Sequence, residues 1–422
     1  MNDGSPLSPR ALAGVRVLDL SRILAGPTCT QLLGDLGAEV IKIERPGSGD
    51  DTRTWGPPFV KDGAGEETDL SAYYLCANRN KQSVAIDLAT DAGADLIRRL
   101  VATADVVIEN YKPGDLARRG LDYDALRQVK PDLIWCSISG FGQTGPYSDR
   151  IGYDFLVQAM GGIMSITGQP DAKGGEPVKV GVGIADVVCG LYATVGLLAA
   201  LRHRDATGEG QMIDLALYDS QLSWLINAAT NYLVSDRVPQ RLGNRHPNIA
   251  PYQTYRVADG YIVVAVGNDE QFRRFVAELG LPELADDPRF RRNRDRILAV
   301  DALEEALLPA LALDTVAGWS ARLTRCKVPA GPVASVAEAL DNPHTQAREM
   351  VVTLDGPGDT GPVRLLGNPL KFSRTPVAYD RPPPHLDQDR QAVLTGLLGL
   401  SAEELQDFTT RGAFGSSAPS EA

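Results

Sequence analysis

Cysteine is scarce in this 422-residue chain: Cys29, Cys76, Cys136, Cys189 and Cys326 are five in number, far apart and without a CxxC pair. An odd, dispersed set favours neither a disulfide framework nor a cysteine zinc site, and it fits a reduced, cytoplasmic compartment. Histidine is scarcer still, and His203, His246, His344 and His385 stand in no HExxH or other ligand spacing, so no metal centre is written. There is no GxSxG elbow and no family-type cysteine nucleophile, which removes the common hydrolase classes. Positive charge is also in deficit. With 42 Lys and Arg against 54 Asp and Glu the net charge is -12, which argues against nucleic acid or an anionic membrane as partner. Any anionic ligand must be met by a few placed Arg or Lys residues. The start, MNDGSPLSPR, lacks the apolar stretch of a signal peptide. The small-residue apolar run from Val187 to Leu201 is shorter than the roughly 20 residues that a membrane span needs, and Asp186 closes one end, so it reads as a buried helix.

What is present is an alternation of strand and helix signals. A β-branched run at Val15 to Leu20, a helical pattern after Pro27, a stop at Gly37 and a second strand at Val40 to Ile43 make a βαβ unit. A helix at about Asp91 to Ala104, strands at Val106 to Ile108 and from Leu133, and a turn at Thr207 to Gly210 before another strand and helix continue the pattern. This predicts an α/β fold: a large domain with a parallel sheet over residues 11–225, a linker at 226–244, a smaller α+β domain at 245–340, and a return to the large domain over 341–410. Residues 1–10 and the small, polar 411–422 read as flexible ends.

Glu44 ends the second strand where dinucleotide-binding folds place a ribose-binding acid. The turn before the first helix, LSRILAGPTCT, has one glycine, so the GxGxxG cradle is absent and a nicotinamide or flavin cofactor is not indicated. Arg22, Lys42, Arg45 and Arg53 lie at or beside these strand ends, either as a ligand rim or as a solvated charged edge. Asp186, in VGVGIADVVCG, has two readings of similar weight. It is a helix N-cap for a helix starting at Val187, or it is a carboxylate nucleophile, for which Gly181 and Gly183 leave room. A helix N-terminus would help such a carboxylate stay ionised against the desolvation that raises its pKa.

Six segments in order carry a resemblance: LDLSRILAGPTCTQLLGDLGAEVIKIERPGSGDDTR, NRNKQSVAIDL, ADVVIENYKPG, GYDFLVQAMGGIMSITG, ADVVCGLYATVGLLAAL and TGEGQMIDLALYDS. The chain resembles the class III CoA-transferases, the CaiB/BaiF-type group that also contains α-methylacyl-CoA racemase. The resemblance implies a Rossmann-like large domain, a small domain and an interlocked homodimer. It implies that coenzyme A and its acyl thioesters are substrates, with no tightly bound cofactor. It puts the nucleophile on Asp186, and CoA contacts on the backbone of Ile23, Leu24 and Ala25 and on Arg45, Lys81, Asn110 and Arg118. Racemases of this fold use a His-Asp pair, and here IGYDF puts Tyr153 in place of the histidine while Asp154 stays. A tyrosine with a pKa near ~10 is a poor base at neutral pH, so transfer is favoured over racemisation. RPGSGDDTRTWGPPFV, NIAPYQTYRVADGYIVVAVGN and RPPP resemble the branch that uses succinyl-CoA or a similar dicarboxyl-CoA donor with a dicarboxylic acceptor. Arg53 or Arg245 is then a candidate cation for the distal carboxylate, each with a solvent-facing loop arginine as the plain alternative. An acyl-CoA racemase or epimerase on the same fold and a non-catalytic CoA-binding protein remain the rival readings.

Overall fold

A computed structural model describes residues 10–415, and the expected flexibility of 1–9 and 416–422 lies outside the described residues. The chain forms two compact units. Of the described residues, the larger holds 10–162, Val180–Ile226 and 346–415; the smaller holds Ile163–Lys179 and Asn227–Thr345. The smaller unit thus takes in 163–179 and 227–244, segments that the sequence pattern assigns to the large domain and to a linker.

The larger unit is built on β1 (Arg16–Asp19), α1 (Ala25–Asp35), β2 (Glu39–Glu44), β3 (Lys81–Ala85), α2 (Asp91–Val101), β4 (Val106–Glu109), β5 (Ile134–Ser139), α3 (Asp154–Met160), α4 (Ile184–Thr207), β6 (Met212–Ala216) and α5 (Leu217–Ser223). The six strands pair in parallel throughout, in the order β3-β2-β1-β4-β5-β6. This is the doubly wound order in which the sheet reverses direction between β1 and β4, and ligands bind outside the carboxyl ends of the strands at that reversal.

Burial on both faces explains why the strands read as near-continuous apolar runs. Leu18, Ile41, Val84 and Val107 pack on one face against Leu96, Ile97 and Leu100 of α2. Val17, Val40, Ile108 and Ile134 pack on the other against Cys29 and Leu33 of α1 and Cys189, Ala193 and Leu197 of α4. Helices α1 and α4 meet at a glycine: a Cβ on Gly190 would lie 2.6 Å from the Ala25 carbonyl oxygen.

Two expectations are corrected here. Helix α4 runs for 24 residues, because Ile184 to Asp186 and Arg202 to Thr207 extend it past the apolar run at both ends, and by length and composition it is long enough to cross a membrane. Half of its apolar window is buried inside the protein. Residues 411–415 are ordered: Ala413 and Phe414 are buried in the core, and the Asp87 N–H donates to the Ala413 carbonyl at 2.7 Å. At the other end Arg10 pairs with Asp380.

The smaller unit has its own core. Strands β7 (Tyr252–Arg256), β8 (Tyr261–Ala265) and β9 (Ala330–Pro332) pair antiparallel, and Ile262, Val264, Phe272, Phe275, Leu307 and Trp319 pack on one another. A hairpin, β10 (Val351–Leu354) with β11 (Val363–Leu366), begins the return to the larger unit.

The return is fastened by Asp35, a fully buried carboxylate at the end of α1. It accepts from Arg79 Nε at 2.8 Å and Nη2 at 2.6 Å, from Asn80 Nδ2 at 2.8 Å, and from Asn368 Nδ2 at 2.9 Å. Removing the acid leaves the Arg79 guanidinium without its counter-charge. Asp35→Ala should therefore destabilise the larger unit by about 3–5 kcal/mol, read as a lowered urea midpoint by circular dichroism. A shift below ~1 kcal/mol would show that water replaces the carboxylate.

Candidate active site

The turn from β1 to α1, the start of α3 and the start of α4 converge on Gly183. A Cβ built on this residue would lie 3.1 Å from Leu24 Cδ2, 3.8 Å from the Asp154 carboxyl carbon and 3.8 Å from Asp186 Oδ2. Glycine here lets the chain pass between the two acids and the β1–α1 turn. Gly181, also singled out in the sequence, is exposed with open space around it.

The helix starts earlier than its local signals indicate. Gly183 occupies the N-cap position with no side-chain cap, and Ile184 is the first helical residue, which puts Asp186 in the third position of the first turn. Asp186 is therefore not the N-cap. That work is done by Asp154 from the start of α3, whose Oδ1 accepts the Ala185 N–H at 2.8 Å. Its Oδ2 accepts from Gln158 Nε2 at 2.8 Å, and Gln158 Oε1 accepts the Val180 N–H at 2.9 Å. Asp154 is thereby held close to Asp186 while it satisfies the helix terminus.

Asp186 is half-buried, and its carboxyl is pushed up to about 7, first by loss of hydration and second by the like charge of Asp154. Burial thus outweighs the helix N-terminus that favours the ionised form. Tyr73, which the sequence reading missed, belongs to this site: its hydroxyl is pushed up to about 12, by burial and then by the charge of Asp186. Its ring sits edge-on to Trp55 at 5.1 Å. The segment SAYYLCAN contains no local pattern that would mark this tyrosine. Tyr153 precedes α3 and is 61% exposed.

The cations sort into two groups. Arg45 and Arg118 are exposed, paired with Asp51 and Asp115 respectively, and Arg22 shares Asp51 with Arg45. Lys81 and Arg53 are not at the surface, and both are corrected as free ligand cations. Lys81 is fully buried, and its ammonium donates to Asp19 at 3.1 Å, Asn78 at 3.0 Å and the Pro27 carbonyl at 3.1 Å. Burial lowers it to about 8 against the opposing charge of Asp19. Arg53, 3% exposed, is engaged by both Glu44 oxygens, by Asp69, by the Tyr74 hydroxyl and by the Pro384 carbonyl. Glu44 is consequently an internal counter-ion rather than a ribose ligand. Arg245 lies in the smaller unit and is held between Asp301 and Glu304.

Asn110, just past β4, turns its amide onto the β1–α1 turn: Oδ1 accepts the Arg22 N–H at 2.9 Å, and Nδ2 donates to the Arg22 carbonyl at 2.8 Å. Among the described residues no group of three or more His, Cys, Asp or Glu is placed to hold a metal ion.

A parallel sheet whose strand order reverses between β1 and β4, without a glycine fingerprint, together with a raised carboxyl at the start of a long helix, defines an α/β fold with an acid beside the β1–α1 turn. Residues 12–390 match CoA-transferase family III, and the chain belongs to that family and is a CoA-transferase. It is 48% identical to a succinate–glutarate CoA-transferase of Agrobacterium fabrum over 391 residues, covering 92% of this chain and 95% of that one. It is 40% identical to a human succinyl-CoA:glutarate CoA-transferase over 403 residues, covering 96% of this chain and 90% of that one. The crystal structure of a CaiB/BaiF family protein from Brucella suis superposes with a TM-score of 0.81 at 46% identity, over 92% of this chain and all of that one.

The raised Asp186 carboxyl has a consequence for stability. The folded protein binds this proton more tightly than the unfolded chain, whose value is near 3.8, so the group's contribution is full below that value and is lost as pH rises toward about 7. Asp186→Asn should raise Tm relative to the parent more at pH ~8 than at pH ~4. An increment that does not grow with pH would contradict the burial described here.

Proposed function

We propose that this chain moves CoA from succinyl-CoA, or a similar dicarboxyl-CoA, to a small dicarboxylic acid through covalent intermediates on Asp186. The observation that carries the reading is the half-buried Asp186 carboxyl, raised to about 7 and lying beside Asp154 and the β1–α1 turn at Gly183. A carboxylate stripped of part of its hydration is a stronger nucleophile, and covalent catalysis splits one acyl exchange into easier steps. The Asp186 oxygen attacks the thioester carbonyl, forming a mixed anhydride and releasing CoA thiolate. The thiolate attacks the aspartyl carbonyl, giving an aspartyl-CoA thioester and the free donor acid. The acceptor carboxylate then attacks that thioester to form a second anhydride, and the thiolate returns to the acceptor's carbonyl, leaving Asp186 free.

The dicarboxylate preference follows the names of the relatives, which act on succinyl-CoA and glutarate or succinate and glutarate. Arg53, buried among Glu44, Asp69 and Tyr74, is not free for the distal carboxylate, whereas Arg245 would have to leave Asp301 and Glu304 to serve it. CoA meets the backbone of Ile23, Leu24 and Ala25, with the exposed Arg45 and Arg118 available to its phosphates once their contacts to Asp51 and Asp115 open. Lys81 acts from beneath, by holding the Pro27 carbonyl at the start of α1. Racemisation is disfavoured, because Asp154 is committed to the α4 terminus and Tyr153 replaces a base.

The chain works as a homodimer of the interlocked kind that the family resemblance implies. Leu191, Val195 and Leu198 of α4, 48%, 65% and 37% exposed in the single chain, recur at helical spacing and form an apolar stripe that a second copy covers.

Two expected outcomes test this reading. With purified protein, succinyl-CoA and glutarate, initial rates should follow ping-pong kinetics, labelled succinate should exchange into succinyl-CoA without a second acid, and Asp186→Asn should lower kcat by ~1,000-fold or more. Asp186→Asn activity within ~10-fold of the parent would exclude the mechanism. Sedimentation should give a dimer, with Val195→Asp shifting the protein toward monomer or aggregate; a monomeric parent would remove the role of the α4 stripe.

A further inference from the structure

At the reversal point of the sheet, the turn from Ser21 to Ile23 has an unusual conformation and an unusual set of restraints. Ile23 has φ +71°, a left-handed backbone that a β-branched residue seldom adopts and that stays populated only where its surroundings impose it. In dinucleotide-binding folds glycine makes this turn tight at little steric cost. Here the corresponding restraint comes from side chains of three other segments. Lys42 Nζ donates to the Ser21 carbonyl at 2.9 Å. Asn110 takes both polar groups of Arg22. Asp50 accepts the Ile23 N–H at 3.2 Å on each oxygen.

Lys42 and Asp50 are themselves an ion pair at 2.8 Å with both side chains fully buried. Thr52 fixes Asp50 further through its N–H at 3.0 Å and its hydroxyl at 2.8 Å. Burial alone would push the Asp50 carboxyl up, but the ammonium of Lys42 and the Thr52 hydrogen bonds bring it down to about 2, so the pair is charged at any working pH. Such a pair is a weak source of stability, because desolvation offsets its attraction, and its best-attested use is to specify one geometry.

We propose that Asp50 and Lys42 are positioning residues for acyl-CoA: they clamp the β1–α1 turn in its left-handed form, so that Leu24 meets Gly183 and the Ile23–Ala25 backbone faces the thioester beside Asp186. This rests on the reading above, in which that backbone contacts CoA. A relaxed Ile23 would carry Leu24 away from its position against Gly183 and spoil the donor site, while the acceptor acid, which reacts at Asp186 after CoA is attached there, would be less affected.

The test is kinetic and uses the full-length enzyme. Asp50→Asn removes the charge facing Lys42 and should raise KM for succinyl-CoA at least tenfold while KM for glutarate changes less than threefold. Adding Ile23→Gly to Asp50→Asn should recover at least threefold of the lost donor affinity, because glycine adopts φ +71° without a clamp although it adds no contact. A donor KM within threefold of the parent, an equal rise for both substrates, or no recovery with Ile23→Gly would overturn the proposal. If Asp50→Asn does not fold, Thr52→Ala, which keeps the ion pair but removes the 2.8 Å hydroxyl contact that fixes Asp50, carries the same comparison with and without Ile23→Gly. Calorimetric titration of the parent with CoA separates the two levels. A parent that binds no CoA defeats the underlying reading, and a parent that binds CoA with an unaffected Asp50→Asn defeats only the clamp.

Discussion

Two carboxylates meet at the mouth of one helix, and the site is arranged around keeping them there. Asp154 accepts the Ala185 N–H and so caps a helix to which it does not belong. That bond gives its charge a structural reason to stay beside Asp186, whose own carboxyl is raised to about 7 by lost hydration and by this neighbour. An acid in that condition is poorly solvated and keeps its proton to higher pH than a free carboxylate. Glycine at 183 eases the approach, since a Cβ there would lie 3.1 Å from Leu24 Cδ2 and push that side chain back by a few tenths of an ångström.

The same economy recurs beneath the sheet's carboxyl edge. A chain with net charge -12 places several of its cations inside rather than on the surface: Lys42, Lys81 and Arg53 each face a buried acid, Asp50, Asp19 and Glu44 respectively. Each also holds backbone near the β1–α1 turn or the return segment: Lys42 at Ser21, Lys81 at Pro27 and Arg53 at Pro384. A sheet with dinucleotide-fold order but no glycine fingerprint thereby obtains a fixed turn from salt bridges. The exposed cations Arg45 and Arg118 stay at the surface, each paired with a partly exposed acid, Asp51 and Asp115 respectively.

Much of the fold was legible, and the reasons differ by element. Strands β1, β2, β4 and β5 are buried on both faces, so their apolar runs stand out, and Gly37 at φ +102° ends α1 as its identity suggests. The start of α4 was misplaced because its cap is contributed by Asp154, far away in sequence, and a local reading sees only Asp186. Arg53 reads as a rim cation because the acids that engage it lie on other elements, and Lys81, a CoA contact only by family resemblance, is buried against Asp19. The last described residues looked like a polar tail, although Ala413 and Phe414 close one face of the core. Spacing alone does not separate a nucleophilic Asp186 from a capping one; the structure removes the capping alternative, since Gly183 is the N-cap and Asp154 accepts the Ala185 N–H. Tyr73 was invisible because it reaches the site only through the folding of the segment after Asp69.

The most direct test of the central claim is a mass measurement. The protein is incubated with succinyl-CoA in the absence of any acceptor acid, quenched in acid, digested and analysed peptide by peptide. The account predicts a CoA thioester on the peptide that contains Asp186, discharged by added glutarate and absent from Asp186→Asn. A CoA adduct on another residue, or full transfer activity with no adduct at any time point, would contradict it.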